Sequence, residues 1–210
     1  MNNKIYVIDY GYGNIHSIVS ALKILGYEVK ISNKPNEIKS AKMIILPGVG
    51  AFGQAMNSLK RLGLDDAIKE AILNQSFLLG ICLGYQMLFD ESEEFGRYDG
   101  LKFVKGKVVK LSDISIYNRI PNVGWRPLIL KNKSDGIPKS FNNKMVYFVH
   151  SYVPIVDDIK KVSSYINFGD HQIHASVHSN QIIGFQFHPE KSGKIGLKIL
   201  DNSLKLLNNP

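Results

Sequence analysis

The sequence predicts an α/β fold: a mainly parallel central sheet flanked by helices, with an antiparallel extension in the C-terminal half. Three observations predict it. Short, largely apolar runs, the run at 77–81 wholly so, alternate with segments of helical period in the first half. Those runs lack the in-out alternation of a half-solvated strand, as expected where both faces of a parallel sheet are covered. After about residue 100 the pattern changes to short strand-like runs between polar turns, clearest in KFVKGKVVKL at 102–111.

Residues 4–9 (KIYVID) read as a buried strand, followed by a glycine-rich turn at Gly11-Tyr12-Gly13-Asn14. Ile15, Ile18, Val19, Leu22 and Leu25 then recur at helical spacing, and Gly26 stops the helix. Strands follow at 27–32 and 43–46, the second ended by Pro47-Gly48-Val49-Gly50. Two helical stretches cover 53–74, and 77–81 (FLLGI) is a fourth apolar strand. The predicted order is β-α-β-β-α-β. Further strands are expected at 102–111, 123–130, 145–149, 161–168, 173–178 and 181–187. Leu197, Leu200, Leu204 and Leu207 mark one face of a C-terminal helix. No Pro, Gly or Ser-rich linker interrupts the chain, so one domain over 1–210 is expected.

The 210 residues suffice for a core that needs no staples. A lone cysteine excludes an internal disulfide. The N-terminal apolar run is broken by Asp9 and glycines, unlike a signal peptide, and no apolar run approaches the ~20 residues of a membrane span. The cytoplasm is the expected home. The net charge of +8 raises nucleic acid as a partner, but only four of the 26 basic residues are arginine. The lysines are dispersed and not interleaved with aromatics. A solvated lysine-rich surface is expected instead, with neither nucleic acid nor membrane as partner.

The densest chemical signal is Gly80-Ile81-Cys82-Leu83-Gly84, which follows an apolar strand and opens a helical segment, YQMLF. This is the G-x-nucleophile-x-G pattern of a strained strand-to-helix turn. Cys82 would sit at a helix N terminus, where the helix dipole and free N–H groups favour the thiolate, and the Leu83 N–H would face an oxyanion. A buried structural cysteine fits the same turn until a base is found.

A thiolate enzyme needs a histidine oriented by a third group. Of six histidines, His188 alone ends an apolar strand with a carboxylate two residues on. Pro189 keeps the segment extended, so Glu190 shares a side with the imidazole. His150, in YFVHSY, is the rival, without a carboxylate at an orienting spacing. His171, His174 and His178 lack acidic or cysteine co-ligands, so a solvated antiparallel hairpin is expected there and no metal. The glycines of Pro47-Gly48-Val49-Gly50 would let backbone N–H groups approach an anion as a second oxyanion donor.

Six motifs in this order carry a family resemblance over nearly the whole chain: IDYGYGNIHSI, LPGVGAFGQAM, GICLGYQMLFDESEE, PNVGW, YFVHSY and QFHPEKSG. The chain resembles the class I (triad-type) glutamine amidotransferases, and more narrowly the glutaminase subunits of imidazole glycerol phosphate synthase. The resemblance implies a Cys82–His188–Glu190 triad that hydrolyses glutamine, with no cofactor. It implies Gly48, Val49 and Gly50 as the oxyanion strand, beside the Leu83 N–H of the elbow, with Gly48 also against the bound glutamine. Gln86 and Glu94 would hold the amino-acid end of glutamine, and Ser151 and Tyr152 would line the pocket. Asn14, Trp125 and Lys191 would face a TIM-barrel cyclase subunit, which converts PRFAR to imidazole glycerol phosphate and AICAR with the channelled ammonia. A core indole is the alternative for Trp125. The sequence contains no barrel, so the cyclase is expected as another chain. Two positions depart from the pattern: Asn122 and Arg126 stand where the histidine-pathway enzymes usually show His and Asn. They keep open a second destination for the ammonia, an enzyme that modifies surface sugars.

Overall fold

The structure is a computed structural model that describes residues 4–114, 119–131 and 137–208. In chain order its first half comprises β1 (Lys4–Ile8), α1 (Ile15–Ile24), β2 (Glu28–Ser32), α2 (Pro35–Lys39), β3 (Met43–Gly48), α3 (Phe52–Arg61), α4 (Leu64–Leu73), β4 (Phe77–Cys82) and α5 (Leu83–Gln86). Then come β5 (Glu91–Ser92), β6 (Tyr98–Asp99), β7 (Gly106–Lys110), β8 (Asn122–Pro127), β9 (Ile129–Leu130), β10 (Met145–His150) and β11 (Tyr152–Val156). The chain closes with β12 (Val162–Phe168), β13 (His171–Ser179), β14 (Ile182–Phe185) and α6 (Gly193–Asn208).

An eight-stranded sheet in the order β2-β1-β3-β4-β14-β13-β12-β9 forms the frame. Its first five strands are parallel, and the rest continue it antiparallel. This is the predicted α/β class. Side chains alternate between two apolar layers. Ile45 and Leu79 join Leu22 of α1 and Leu200 and Leu204 of α6, whereas Ile44 and Leu78 join Phe52 of α3 and Ile68 of α4. Each such fully buried side chain contributes about 1.5–3 kcal/mol.

Four expectations need correction. The run at 181–187 falls in the half expected to be antiparallel, yet β14 pairs parallel with β4, Gly184 opposite Gly80 and Phe185 opposite Ile81. A short helix, α2, separates β2 from β3. It begins on Pro35 and buries one residue, Ile38, too little to register as a periodicity. The helix after the elbow, α5, is only four residues long, so the support a thiolate gains there is local N–H groups rather than a long helix dipole. The run at 123–130 divides: β8 pairs with β10 in a two-stranded ribbon, while β9 joins β12 at the edge of the main sheet. Pro127, which has no N–H to give a ladder, ends β8.

Candidate active site

The site forms at the C-terminal ends of β3, β4 and β14, where ligands collect in open parallel sheets. Gly48, the last residue of β3, is opposite Cys82, the last of β4. Cys82 has φ +56 and ψ −109, a conformation that L-residues rarely adopt. The turn is held by neighbours that leave no room for side chains. A Cβ on Gly84 would lie 1.8 Å from the Leu46 carbonyl oxygen, and one on Gly80 would lie 2.7 Å from the Gly84 oxygen. Gly84→Ala is therefore expected to destabilise the fold by at least about 1–3 kcal/mol, the usual scale of overpacking. A lowered midpoint of urea unfolding at unchanged slope checks this.

His188 follows β14 and is buried. Its Nδ1 donates to Glu190 Oε1 at 2.8 Å, with both side chains 3% exposed. Pro189 leads a short turn in which Ser192 Oγ donates to the His188 carbonyl, fixing the backbone. His188 Nε2 and Glu190 Oε2 have no hydrogen-bond partner among the described residues. Burial works against an imidazolium here, but the Cys82 sulfur and the Glu190 carboxylate outweigh it and raise His188 to about 10.

Cys82 and His188 line one cavity of about 360 Å³, shared with Val49, Gly50, Leu83, Gln86, Glu94 and the segment Val149–Tyr152. The structure thus gathers eight of the predicted site residues beside Cys82: Val49, Gly50, Leu83, Gln86, Glu94, Ser151, Tyr152 and His188. Glu190 stands behind His188. Gly48 packs closely against Tyr10 and Leu83 and does not line the cavity. Glu94 Oε2 accepts the Phe52 N–H at 2.6 Å at the start of α3, and burial raises its pKa against that bond. Gln86 donates both amide protons, to the Tyr152 carbonyl at 2.9 Å and to Gln186 Oε1 at 3.1 Å. What it has left to offer is its carbonyl oxygen.

One expected donor is engaged elsewhere. The Val49 N–H donates to the Tyr12 carbonyl at 2.8 Å, so it is not available to an oxyanion in this conformation. Gly50, the next residue, has φ +99, a backbone conformation that favours glycine.

The three residues expected to face a partner lie outside the cavity. Asn14 accepts from Ser17 Oγ at 3.0 Å at the start of α1, and Lys191 is exposed. Trp125 is 49% exposed on β8 and meets Tyr147 edge-on at 6.0 Å, so the core alternative is set aside. His171, His174 and His178 lie along β13, within the antiparallel pairs β12–β13 and β13–β14.

The sequence assigns no site role to Pro121 and Val149, which line the cavity, or to Gln186 behind Cys82. Gln186, fully buried, points Nε2 at Cys82 Sγ, 4.0 Å away. It stands two residues before His188, so the spacing that puts Glu190 beside His188 also brings Gln186 to the same side.

The family model for glutamine amidotransferase class-I matches residues 6–206. The chain belongs to the class-I glutamine amidotransferase family. It is 43% identical over 206 residues to the imidazole glycerol phosphate synthase subunit HisH of Geobacillus sp. (strain WCH70), covering 96% of each chain. It is 41% identical to the HisH of Aquifex aeolicus, covering 93% of each. Over 95% of its length it is 43% identical to the chloroplastic imidazole glycerol phosphate synthase hisHF of Arabidopsis thaliana, of which it spans 33%. The amidotransferase fold is equally plain in solved structures. PurLQS from Thermotoga maritima superposes with a TM-score of 0.75 at 20% identity, covering 99% of this chain and all of that one. A crystal structure titled glutamine amidotransferase gives 0.72 at 19%, covering 97% and 98%. Among the described residues of this amidotransferase, no helix is long and apolar enough to cross a membrane.

Proposed function

We propose that the protein is the glutaminase subunit of an imidazole glycerol phosphate synthase, supplying ammonia to a TIM-barrel cyclase subunit in histidine biosynthesis in the cytoplasm. One observation carries the chemistry. A strained cysteine and a histidine with one bonded nitrogen and one without a partner among the described residues share a cavity whose lining includes Gln86 and Glu94. The names of relatives 41–43% identical support the pathway over the surface-sugar alternative.

Glutamine enters with its α-ammonium toward the Glu94 carboxylate and the Gln86 carbonyl, two acceptors suited to a cation. The Cys82 thiolate adds to the side-chain amide carbon. His188, charged and held by Glu190, gives its Nε2 proton to the departing nitrogen, and ammonia leaves a thioester. Neutral His188 then takes a proton from water as the water attacks the thioester. The carbon–sulfur bond breaks, releasing glutamate and restoring the thiolate–imidazolium pair. The Leu83 N–H supports the oxyanion from the start of α5, and the Val49 N–H joins it once the turn leaves Tyr12. Each such donor is worth about 3 kcal/mol. Ammonia would be protonated in bulk water, so the partner caps the site. Trp125, Asn14 and Lys191 form the docking surface, and the exposed Trp125 suits an anchor.

The test combines the purified chain with a cyclase subunit of a histidine-pathway synthase and supplies amide-¹⁵N glutamine and PRFAR. The label is expected in imidazole glycerol phosphate. Glutamate formation without transfer of the label, combined with transfer to a sugar-modifying synthetase, would overturn the pathway.

A further inference from the structure

We propose that Arg126 is a positioning residue for the glutamine pocket, acting through a directed chain of hydrogen bonds, Arg126–Asn122–His150–Tyr152. The inference rests on the glutamine reading of the cavity above. It starts from the β8–β10 ribbon, whose register sets Asn122 opposite His150. Asn122 is 1% exposed and His150 6%, whereas Arg126 reaches the surface one residue beyond Trp125.

The direction of each bond follows from donor and acceptor chemistry. Arg126 Nε lies 3.1 Å from Asn122 Oδ1. A guanidinium only donates, so it selects the amide orientation with the oxygen toward itself. The Asn122 NH₂ must then face the ring, and Asn122 Nδ2 lies 2.9 Å from His150 Nε2. That nitrogen is therefore an acceptor, and the ring proton sits on Nδ1. Nδ1 lies 2.9 Å from the Tyr152 carbonyl oxygen, which can only accept. The Tyr152 oxygen also receives Gln86 Nε2. Every polar contact in the chain is satisfied in one arrangement only.

The opposite amide orientation would place two acceptors, Asn122 Oδ1 and the Tyr152 oxygen, on the two ring nitrogens. The ring would have to carry both protons. Burial opposes this and lowers His150 to about 4; the charged His188 adds to the effect, although the Tyr152 bond acts the other way. Without Arg126, the Asn122 oxygen loses its donor, and the Tyr152 carbonyl alone is left to select the tautomer and the amide orientation. A ring protonated on Nε2 instead would turn the Nδ1 lone pair on the Tyr152 carbonyl, which anchors Gln86. The lining that binds the amino-acid end of glutamine would loosen, while Cys82, His188 and Glu190 stay in place. The signature is weakened substrate binding with intact chemistry.

The experiment is steady-state glutaminase kinetics of Arg126→Leu and Arg126→Lys, each saturated with cyclase subunit. Arg126→Leu is expected to raise KM for glutamine about tenfold with kcat within about threefold of wild type. Arg126→Lys, again a pure donor, is expected to recover most of the KM. An unchanged KM, or a loss confined to kcat, overturns the proposal. Should Arg126→Leu fail to fold, ¹⁵N NMR of the wild-type imidazoles decides, with His150 assigned by its loss in His150→Gln. A neutral ring with its proton on Nδ1 supports the chain of bonds; a proton on Nε2 or on both nitrogens overturns it. A wild-type protein without any glutaminase activity would instead bring down the glutamine reading, leaving the ring tautomer to be read on its own.

Discussion

Replacing Cys82 with serine is expected to lower glutamine turnover at least about a thousandfold while leaving glutamine binding within a fewfold of wild type. The size follows from what the position provides. Sulfur ionises at much lower pH than a hydroxyl, and the surroundings are arranged for a charged sulfur. Gln186 Nε2 points at Sγ, and His188 carries a pKa raised to about 10. Serine would keep the backbone at φ +56 and the shape of the cavity, so the loss would be chemical. The Sγ also lies 3.9 Å from the Val149 carbonyl, a partner for a thiol proton that the hydroxyl would inherit. The measurement is glutamate release with saturating partner, alongside the dissociation constant of glutamine. Turnover within tenfold of wild type would remove Cys82 from the mechanism.

Glu190→Gln comes next in size, with an expected fall in kcat of about 10² to 10⁴, the range seen when a histidine loses its orienting carboxylate. The pH profile carries more information than the rate. Burial opposes the His188 imidazolium, and Cys82 and Glu190 together overcome it. With a neutral amide in place of the carboxylate, the Glu190 part of that support goes, so His188 should lose its proton at lower pH. The alkaline limb of kcat/KM, set where His188 ceases to be an acid, should move down. Stability should respond with the same sign. A group whose folded pKa is raised contributes its full stabilisation below its unfolded pKa of about 6.5, and loses it as pH rises through about 10. The variant should therefore be most destabilised relative to wild type in acid to neutral solution, with the gap closing above pH 10. Denaturant titrations at several pH values test this, and a gap that widened with pH would refute it.

These predictions rest on residues that the sequence makes legible for identifiable reasons. Cys82 and His188 announce themselves because glycine and proline constrain the backbone locally, whatever the tertiary context. β3 and β4 are legible because burial on both faces demands continuous apolar runs. Other parts hide for equally physical reasons. The five-residue α2 is shorter than two helical turns and offers no period. β11 contains Pro154 and reads as a loop, although proline is admissible because β11 is an edge strand. The parallel pairing of β14 is invisible locally, since a four-residue apolar run looks the same in either direction. The path from Arg126 to Tyr152 joins residues up to 28 positions apart, and its sense depends on which amide atom faces which neighbour. No spacing rule encodes that.

The insertion of β14 between β4 and β13 bears on biosynthesis. A ribosome releases β4, with its cysteine, more than a hundred residues before β14 and the histidine that follows it. Until then the middle of the main sheet has an open slot beside Leu78 and Leu79, and the nucleophile has no base. Pairing over so long a separation closes slowly. Fragments ending before residue 182 should therefore be unable to consume glutamine, and their exposed strand edge should mark them for aggregation or proteolysis. Completion of the sheet is thus a precondition for activity in the life of the nascent chain.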